Sequence, residues 1–196
     1  MTQPRKAPLG AVKSPWGHQR WIEFLLDAAG EAPSNATPLF AHAQGALNGH
    51  RVVVAGLDFR RTTADDISVG AEAIAGSMLE ARDFEAYILV FTAVGSLEKD
   101  AGDSLLNDER IVSAREALAR DGVAFFVIAA HDSSVHLPSS LIRGADVLLA
   151  EASSPESPRR PQHEAVDQVV SRDKMRSVLT CLLAESYDED EIFAVQ

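Results

Sequence analysis

Cysteine is almost absent from this sequence of 196 residues, in which Cys181 is the single example. One thiol cannot close an internal disulfide, and it cannot supply a zinc site built from several thiolates. Long apolar runs are also missing, because the longest uncharged one, Val123 to Ala130, is far too short to cross a bilayer. The sequence therefore predicts an ordinary apolar core without a disulfide, a metal site or a membrane span.

Positive charge is scarce as well, since 18 Lys and Arg residues face 29 Asp and Glu residues, for a formal net charge of −11. No stripe of Lys and Arg with interleaved aromatic residues is present, so nucleic acid is not expected as a partner. The first residues are partly basic but lack the apolar segment of a secretory signal. We therefore expect a cytoplasmic protein that binds neither nucleic acid nor membrane.

Composition divides the chain into three parts. Residues 1–15 hold three prolines and no apolar periodicity, which is typical of a flexible leader. Residues 16–185 carry the apolar periodicity of a single domain. Residues 186–196 form an acidic tail, which would suit docking on a basic partner but is equally typical of a solvated, frayed end.

Strand patterns and helix patterns alternate along this domain. Buried strands are predicted for RVVVAGLDF, AYILVFTAVG, VAFFVIAA and DVLLAEA, which are rich in β-branched and aliphatic residues. Helical spacing of apolar residues is found between them, in SVGAEAIAGSMLEARD and RIVSAREALAR. Because alternating strands and helices build parallel sheets, the fold class is α/β with largely parallel pairing.

Local signals mark where these elements begin and end. Asn48-Gly49 is typical of a two-residue hairpin turn, and Gly122 of the end of a helix before a strand. Gly30 is predicted to stop the first helix, and Ser171 to cap the last one. Helical spacing predicts three core-facing stripes: Trp21, Phe24, Leu25 and Ala28; Ala71, Ile74, Ala75, Met78 and Leu79; and Met175, Val178, Leu179 and Leu182.

Four segments carry a resemblance to a known family: GHQRWIEFLLDAAG, ALNGHRVVVAGLDFRR, GADVLLAEA and HEAVDQVVSRDKMRSVLTCLLA. In this order they resemble the carboxyltransferase subunits of biotin-dependent acyl-CoA carboxylases, of the acetyl-CoA carboxylase beta-subunit type. The resemblance covers roughly Gly17 to Leu183, in a divergent and truncated form. It implies a crotonase/ClpP-like fold, in which strand-strand-helix units wind into a spiral.

The resemblance also implies a chemistry. Carboxyl transfer to an acyl-CoA passes through an enolate, whose oxygen is stabilised by backbone N–H donors. In this sequence the corresponding donor positions are Val94 and Gly95 after one strand, and Ser133, Ser134 and Val135 after the next. Binding of the acyl-CoA or malonyl-CoA substrate is assigned to Asp58, Arg60 and Gly70.

Partners follow from the same resemblance. An active subunit would use carboxybiotin held on a biotin carrier protein, because the chain has no biotinyl-lysine signature of its own. It would form a homo- or hetero-oligomer with another carboxyltransferase subunit, and no zinc is expected because the four-cysteine ribbon of the family is missing.

This sequence departs from the family pattern in its loops. The double glycines are replaced at every donor loop, and Asp65 and Asp66 lie at a helix start, where acids oppose an anion. Two hypotheses therefore stay beside the carboxyltransferase: a non-catalytic partner or scaffold subunit of a heteromeric acyl-CoA carboxylase, and a biotin-independent malonyl-thioester decarboxylase. The latter needs the same oxyanion donors without biotin.

Other motifs favour ordinary structural roles. His131, Asp132 and Ser133 are adjacent in one loop, whereas a hydrolase triad converges from separate elements and uses a nucleophile elbow that this sequence lacks. The spacing of His131 and His136 matches no established metal site. No dinucleotide-binding or phosphate-binding glycine motif is present.

Overall fold

The computed structural model of the protein describes residues 16–27, 39–58, 66–84, 86, 88–94, 109–130, 144–152 and 166–193. Four helices and six strands occupy these ranges, in the chain order α1 (His18–Leu25), β1 (Phe40–Leu47), β2 (His50–Asp58), α2 (Asp66–Asp83), β3 (Ile88–Val94), α3 (Glu109–Arg120), β4 (Ala124–Ala129), β5 (Val147–Glu151), β6 (Gln168–Val170) and α4 (Arg172–Phe193).

All six strands belong to one sheet, in the order β1-β2-β3-β4-β5-β6. The first pair is antiparallel and is joined through Asn48 and Gly49, whose φ angles of 51° and 83° are those of a type I′ turn. The remaining pairs are parallel, so the ends of β2 to β6 meet at one side of the sheet, which we call the carboxyl edge. The predicted hairpin and the predicted parallel α/β class are confirmed.

Each face of the sheet has its own apolar core, because side chains alternate along a strand. In β2, Val53, Ala55 and Leu57 belong to one core, while Val52 and Val54 belong to the other. The first core includes buried residues of α2 and α3, and we call this side the α2/α3 face. The second includes buried residues of α1 and α4, and we call it the α1/α4 face.

Helix α3 ends where the sequence predicts. Gly122 has a φ of 70°, the left-handed conformation that closes many helices. The Val123 N–H donates to the Leu118 carbonyl at 3.0 Å, so the chain reverses within the last turn and enters β4.

Two helix predictions need correction. Helix α1 ends at Leu25, before Gly30, because the Asp27 N–H already donates to the Ala46 carbonyl of β1 at 2.8 Å. Gly30 and Ala28 lie outside the described residues. Leu79 does not join the core stripe of α2: it is 39% exposed, while Met78 is buried at 2%.

The last helix is longer than predicted. It begins at Arg172, directly after Ser171, and runs to Phe193, so residues 186–193 continue the helix rather than start a separate tail. Its core-facing residues are Met175, Leu179 and Leu183, while Leu182 is only partly buried. No helix among the described residues is long and apolar enough to cross a membrane.

Candidate functional site

Four strand ends lie on one line at the carboxyl edge. Asp58 is the register partner of Val94, and the next pairings join Ala93 to Ala129 and Ala129 to Ala150. One residue further along, the line therefore runs from Asp58 and Val94 through β4 to Glu151. Parallel α/β sheets bind their ligands beyond the carboxyl ends of the strands, so this line is the candidate functional site.

The line is bounded by two buried carboxylates. Asp58 and Glu151 are 6% and 9% exposed and are each the last residue of a strand. Side chains two or four residues apart on a strand lie on the same face of the sheet. Asp58 therefore lies on the same face as Val54, and Glu151 on the same face as Leu149, which is the α1/α4 face. With about 4.8 Å between neighbouring strands, the two residues are separated by roughly 14 Å.

His18 is the charged or polar partner that α1 brings to Asp58. The His18 Nδ1 lies 3.8 Å from Asp58 Oδ2, and the two side chains are 15% and 9% exposed. His18 is the first residue of α1, so the docking of this helix on the sheet determines the approach. Nδ1 is buried and makes no hydrogen bond within the part of the chain that the structure describes.

Arg172 is the partner of Glu151. Its Nε donates to Glu151 Oε1 at 2.5 Å, with side-chain exposures of 17% and 3%. The guanidinium carbon also lies 4.5 Å from the ring centre of Trp16 and 5.9 Å from that of Trp21. A buried carboxylate needs such a partner, and stacking on aromatic faces adds a cation–π attraction.

Helix α1 connects the two carboxylates. His18 approaches Asp58 at one end of the line, while Trp21, three residues later on the helix, faces Arg172 at the other. Trp16, Trp21 and Phe24 pack edge to face, with ring centres 5.1 to 6.0 Å apart. The buried Trp21 Nε1 makes no hydrogen bond within the described residues. This helix therefore covers the α1/α4 side of the candidate site.

Some of the predicted site residues lie at the carboxyl edge, one lies within a helix, and the others lie outside the described residues. Val94 ends β3 beside Asp58, as a donor at the sheet edge requires. Gly70 is the fifth residue of α2, so its N–H lies within the helical hydrogen-bond ladder rather than among the open donors of the first turn. The remaining predicted residues, Arg60, Gly95, Ser133, Ser134 and Val135, lie outside the described residues.

Asp58, predicted to bind the acyl-CoA, is a largely buried residue of the carboxyl edge. Its side chain is 9% exposed and lies against α1. An anionic carboxylate in this position acts on a neighbouring imidazole more readily than on the phosphates of coenzyme A, which it would repel.

Sequence reasoning missed His18, Glu151 and Arg172. A signal was present for Glu151, because an acidic residue that directly ends a buried apolar strand is expected to meet a partner at the sheet edge. No local pattern identifies their partners, because His18 is 40 residues from Asp58 in the chain and Arg172 is 21 residues from Glu151.

A further polar cluster lies on the opposite face. His42 Nε2 and Glu80 Oε2 are 2.7 Å apart, and Gln44 donates to the other oxygen of Glu80. His42 is paired in register with Ala55, three residues before Asp58, and its side chain is on the α2/α3 face. It therefore belongs to the packing of α2 on β1 rather than to the carboxyl edge. Among the described residues, no group of His, Cys, Asp and Glu is arranged to hold a metal ion.

Comparison by sequence finds no matching family model and no matching curated protein. Comparison by structure finds several. The chain is similar to a subunit of the Pseudomonas malonate decarboxylase hetero-dimer, with a TM-score of 0.57 and 14% identity, over 92% of this chain and 94% of that one.

Two other similar structures are carboxyl-transferring enzymes. The beta subunit of P. aeruginosa geranyl-CoA carboxylase has a TM-score of 0.57 and 13% identity, over 90% of this chain and 42% of that one. The transcarboxylase 12S core has a TM-score of 0.52 and 10% identity, over 86% of this chain and 41% of that one. The chain thus spans less than half of these two proteins. At such identities the likeness shows the fold, which is the α/β fold shared by these carboxyltransferase and malonate decarboxylase subunits.

Proposed function

We propose that this protein is a subunit of the carboxyltransferase or malonate decarboxylase type with a crotonase-like spiral fold, which binds an acyl-CoA or malonyl thioester. In this proposal backbone N–H groups at the carboxyl edge stabilise the enolate oxygen of the thioester. The shared fold supports the class, and one observation about the strand ends carries the site.

That observation is the adjacency of β3 and β4. The two strands are parallel neighbours, with Ala93 beside Ala129, so their last residues end side by side at the carboxyl edge. Val94 and Gly95 begin the first segment, and the residues from Ser133 to Val135 belong to the second. Donors from two adjoining loops can converge on one oxygen, which is the arrangement that an oxyanion needs.

Two reactions share this enolate. Decarboxylation of a malonyl thioester needs the oxyanion donors and a proton, both of which the chain can supply. Carboxyl transfer also needs carboxybiotin, which in this proposal arrives on a biotin carrier protein. Because two of the similar structures are a malonate decarboxylase hetero-dimer and hetero-tetramer, we propose assembly with a second carboxyltransferase-type subunit.

The proposal is tested by calorimetric titration with acetyl-CoA and malonyl-CoA, with free coenzyme A as the control for binding through the nucleotide alone. Malonyl-CoA samples are then assayed for released CO2. Binding with release identifies a decarboxylase, and binding without release identifies the carboxyltransferase, to be assayed next with a carboxybiotin donor. No binding at millimolar ligand contradicts the proposal and leaves the non-catalytic partner subunit.

A matched pair of variants tests the backbone donor. Gly95→Pro removes the N–H of residue 95, while Gly95→Ala keeps it, and Val94 has the extended conformation that a following proline favours. Loss of one oxyanion donor lowers turnover about 10²- to 10³-fold. We expect that difference between Gly95→Pro and Gly95→Ala. Equal turnover in the two variants would exclude this N–H from the reaction.

A further inference from the structure

We infer that His18, positioned by Asp58, is the general acid that transfers a proton to the enolate carbon of the thioester. The inference rests on the proposed function and adds a residue that neither the resemblance nor the sequence patterns pointed to. In decarboxylation His18 supplies the proton that replaces CO2 on the α-carbon. In carboxyl transfer the same residue removes the α-proton before the carboxyl group is added.

Position is the first argument. Asp58 is the register partner of Val94, the last strand residue before the proposed oxyanion donor at Gly95. His18 Nδ1 is 3.8 Å from the Asp58 carboxylate. Since neighbouring strands are about 4.8 Å apart, the imidazole lies beside the strand end at which the oxyanion loop begins. The His18 imidazole beside β2 and the proposed oxyanion donor that follows β3 thus belong to the same edge of the sheet.

The chemistry of the pair is the second argument. A carboxylate that faces one ring nitrogen of a histidine fixes the tautomer and stabilises the imidazolium, and it leaves the other nitrogen to exchange protons. Here Asp58 faces Nδ1, so Nε2 is the exchanging nitrogen. At 3.8 Å the pair is an ion-pair contact rather than a hydrogen bond, and catalytic contacts that are long in the free protein commonly tighten when substrate binds. The side chain retains 15% exposure, so the ring is not sealed from a ligand.

Other polar groups near the sheet are less suited than His18 to transfer a proton to the enolate carbon. Glu151, the other buried carboxylate of the carboxyl edge, is already bound by the Arg172 guanidinium, which only donates hydrogen bonds. The His42–Glu80 pair has the right chemistry but belongs to the other face of the sheet. Among the described residues of the candidate site, His18 has the side chain that can both donate and accept a proton through its two ring nitrogens.

The reaction balances without any further reagent. The bond between the carboxylate carbon and the α-carbon of malonyl-CoA breaks, CO2 leaves, and the electron pair forms the thioester enolate. The α-carbon then takes the proton from Nε2 of the imidazolium, which gives acetyl-CoA and neutral His18. Water returns the proton to the ring. Run in reverse on acetyl-CoA, the last step removes an α-proton, so the methyl hydrogens exchange with solvent.

The experiment follows this exchange. The protein is incubated with acetyl-CoA in D2O, and deuterium in the acetyl group is measured by mass spectrometry, beside CO2 release from malonyl-CoA. General acid–base catalysis contributes about 10²- to 10⁴-fold, so His18→Gln should slow exchange by at least 10²-fold with little change in KM. Asp58→Asn should lower the same rate, again in kcat rather than in KM, because Asp58 positions the ring.

The control variant is His50→Gln, which removes a histidine from the opposite end of the strand that carries Asp58. Circular dichroism verifies that each variant is folded, and the acetyl-CoA affinity of each variant shows that the binding site persists. We expect exchange by His50→Gln to equal that of the unmodified protein.

The outcomes separate the two proposals. Exchange that persists at full rate in His18→Gln overturns the role of His18 and leaves the proposed function intact. CO2 release and acetyl-CoA formation at the full rate in His18→Gln also overturn it, because another group then protonates the enolate carbon. If the unmodified protein neither binds nor processes either thioester, the proposed function fails and this inference fails with it.

Discussion

Two arginines one turn apart on α4 bind carboxylates in very different surroundings. Arg172 and its partner Glu151 have side chains that are 17% and 3% exposed. Arg176 and its partner Asp27 are 35% and 33% exposed. The same pairing of residue types is thus a buried contact at the carboxyl edge in one case and a half-exposed surface contact in the other.

The difference determines what each pair does. The Glu151 side chain is almost completely buried, so a carboxylate at this position needs the Arg172 guanidinium, which itself stacks on aromatic rings. Asp27 keeps contact with solvent, and its carboxylate accepts the N–H groups of Asn48 and Gly49 at 2.8 and 2.9 Å. One pair therefore fastens α4 to the sheet edge, while the other caps the hairpin turn.

The buried pair gives the largest expected effect. In Arg172→Met the buried Glu151 carboxylate loses its contact with the guanidinium, and removal of one member of a buried ion pair costs about 3–5 kcal/mol. We expect the free energy of unfolding in urea to fall by that amount. Adding Glu151→Gln removes the buried charge and should restore part of the loss. A change below about 1 kcal/mol in Arg172→Met would mean that the pair is no more important than a surface contact.

The half-exposed pair gives a smaller effect that depends on pH. The N–H groups of Gly49 and Asn48, and then the charge of Arg176, hold the pKa of Asp27 below its ordinary value of 3.8. A carboxyl group whose pKa is lowered in the folded state stabilises the fold fully at pH values above its unfolded-state pKa. This stabilisation is lost as the pH falls through the folded-state pKa. At pH 7, Asp27→Asn should cost about 1–2 kcal/mol, reduced by solvent screening.

Measurement of unfolding across pH checks this. The difference between Asp27→Asn and the unmodified protein should be constant from neutral pH down to about pH 4 and should shrink below that value. A difference that stays unchanged in acid would show that hairpin capping does not depend on the ionised carboxylate.

An exposed pair on the other face gives the smallest effect. Arg110 and Glu72 approach to 4.0 Å, with side chains that are 45% and 81% exposed. Exposed pairs contribute about 0–1 kcal/mol, so Glu72→Gln should change the unfolding free energy by less than about 0.5 kcal/mol. A larger loss would break the rule that burial, rather than pairing itself, sets the importance of these contacts.

Local features of the fold were predictable because short-range rules decide them. Asn48 and Gly49 adopt the positive φ angles that a type I′ turn requires, and Gly122 closes α3 in the same way. Four of the parallel strands, β2 to β5, follow from runs of aliphatic residues, whereas the three-residue strand β6 has no such run. Leu79 shows where this reasoning stops: helical spacing places it at the border of the apolar stripe, and the packing of α2 on the sheet leaves it exposed.

Asp58 and Val94 are the predicted site residues that lie on the line of strand ends, because each ends a strand that the sequence pattern predicts. Gly70 lies four residues after the start of α2. His18 and Asp58 are forty residues apart in the chain, and Glu151 and Arg172 are 21 apart. No local pattern connects them, because each contact depends on how a helix docks across the sheet.

The sequence by itself determined the α/β class, the hairpin turn and the alternation of helices with the four strands β2 to β5, but it did not indicate β1 or β6. These features follow from apolar periodicity and from the conformations that Asn and Gly allow, which act over a few residues. The tertiary structure alone decided that Asp58, Val94 and Glu151 share one line and that α1 covers it. Sheet register and helix docking sum many weak contacts between distant segments, so only the folded chain shows which charged groups meet.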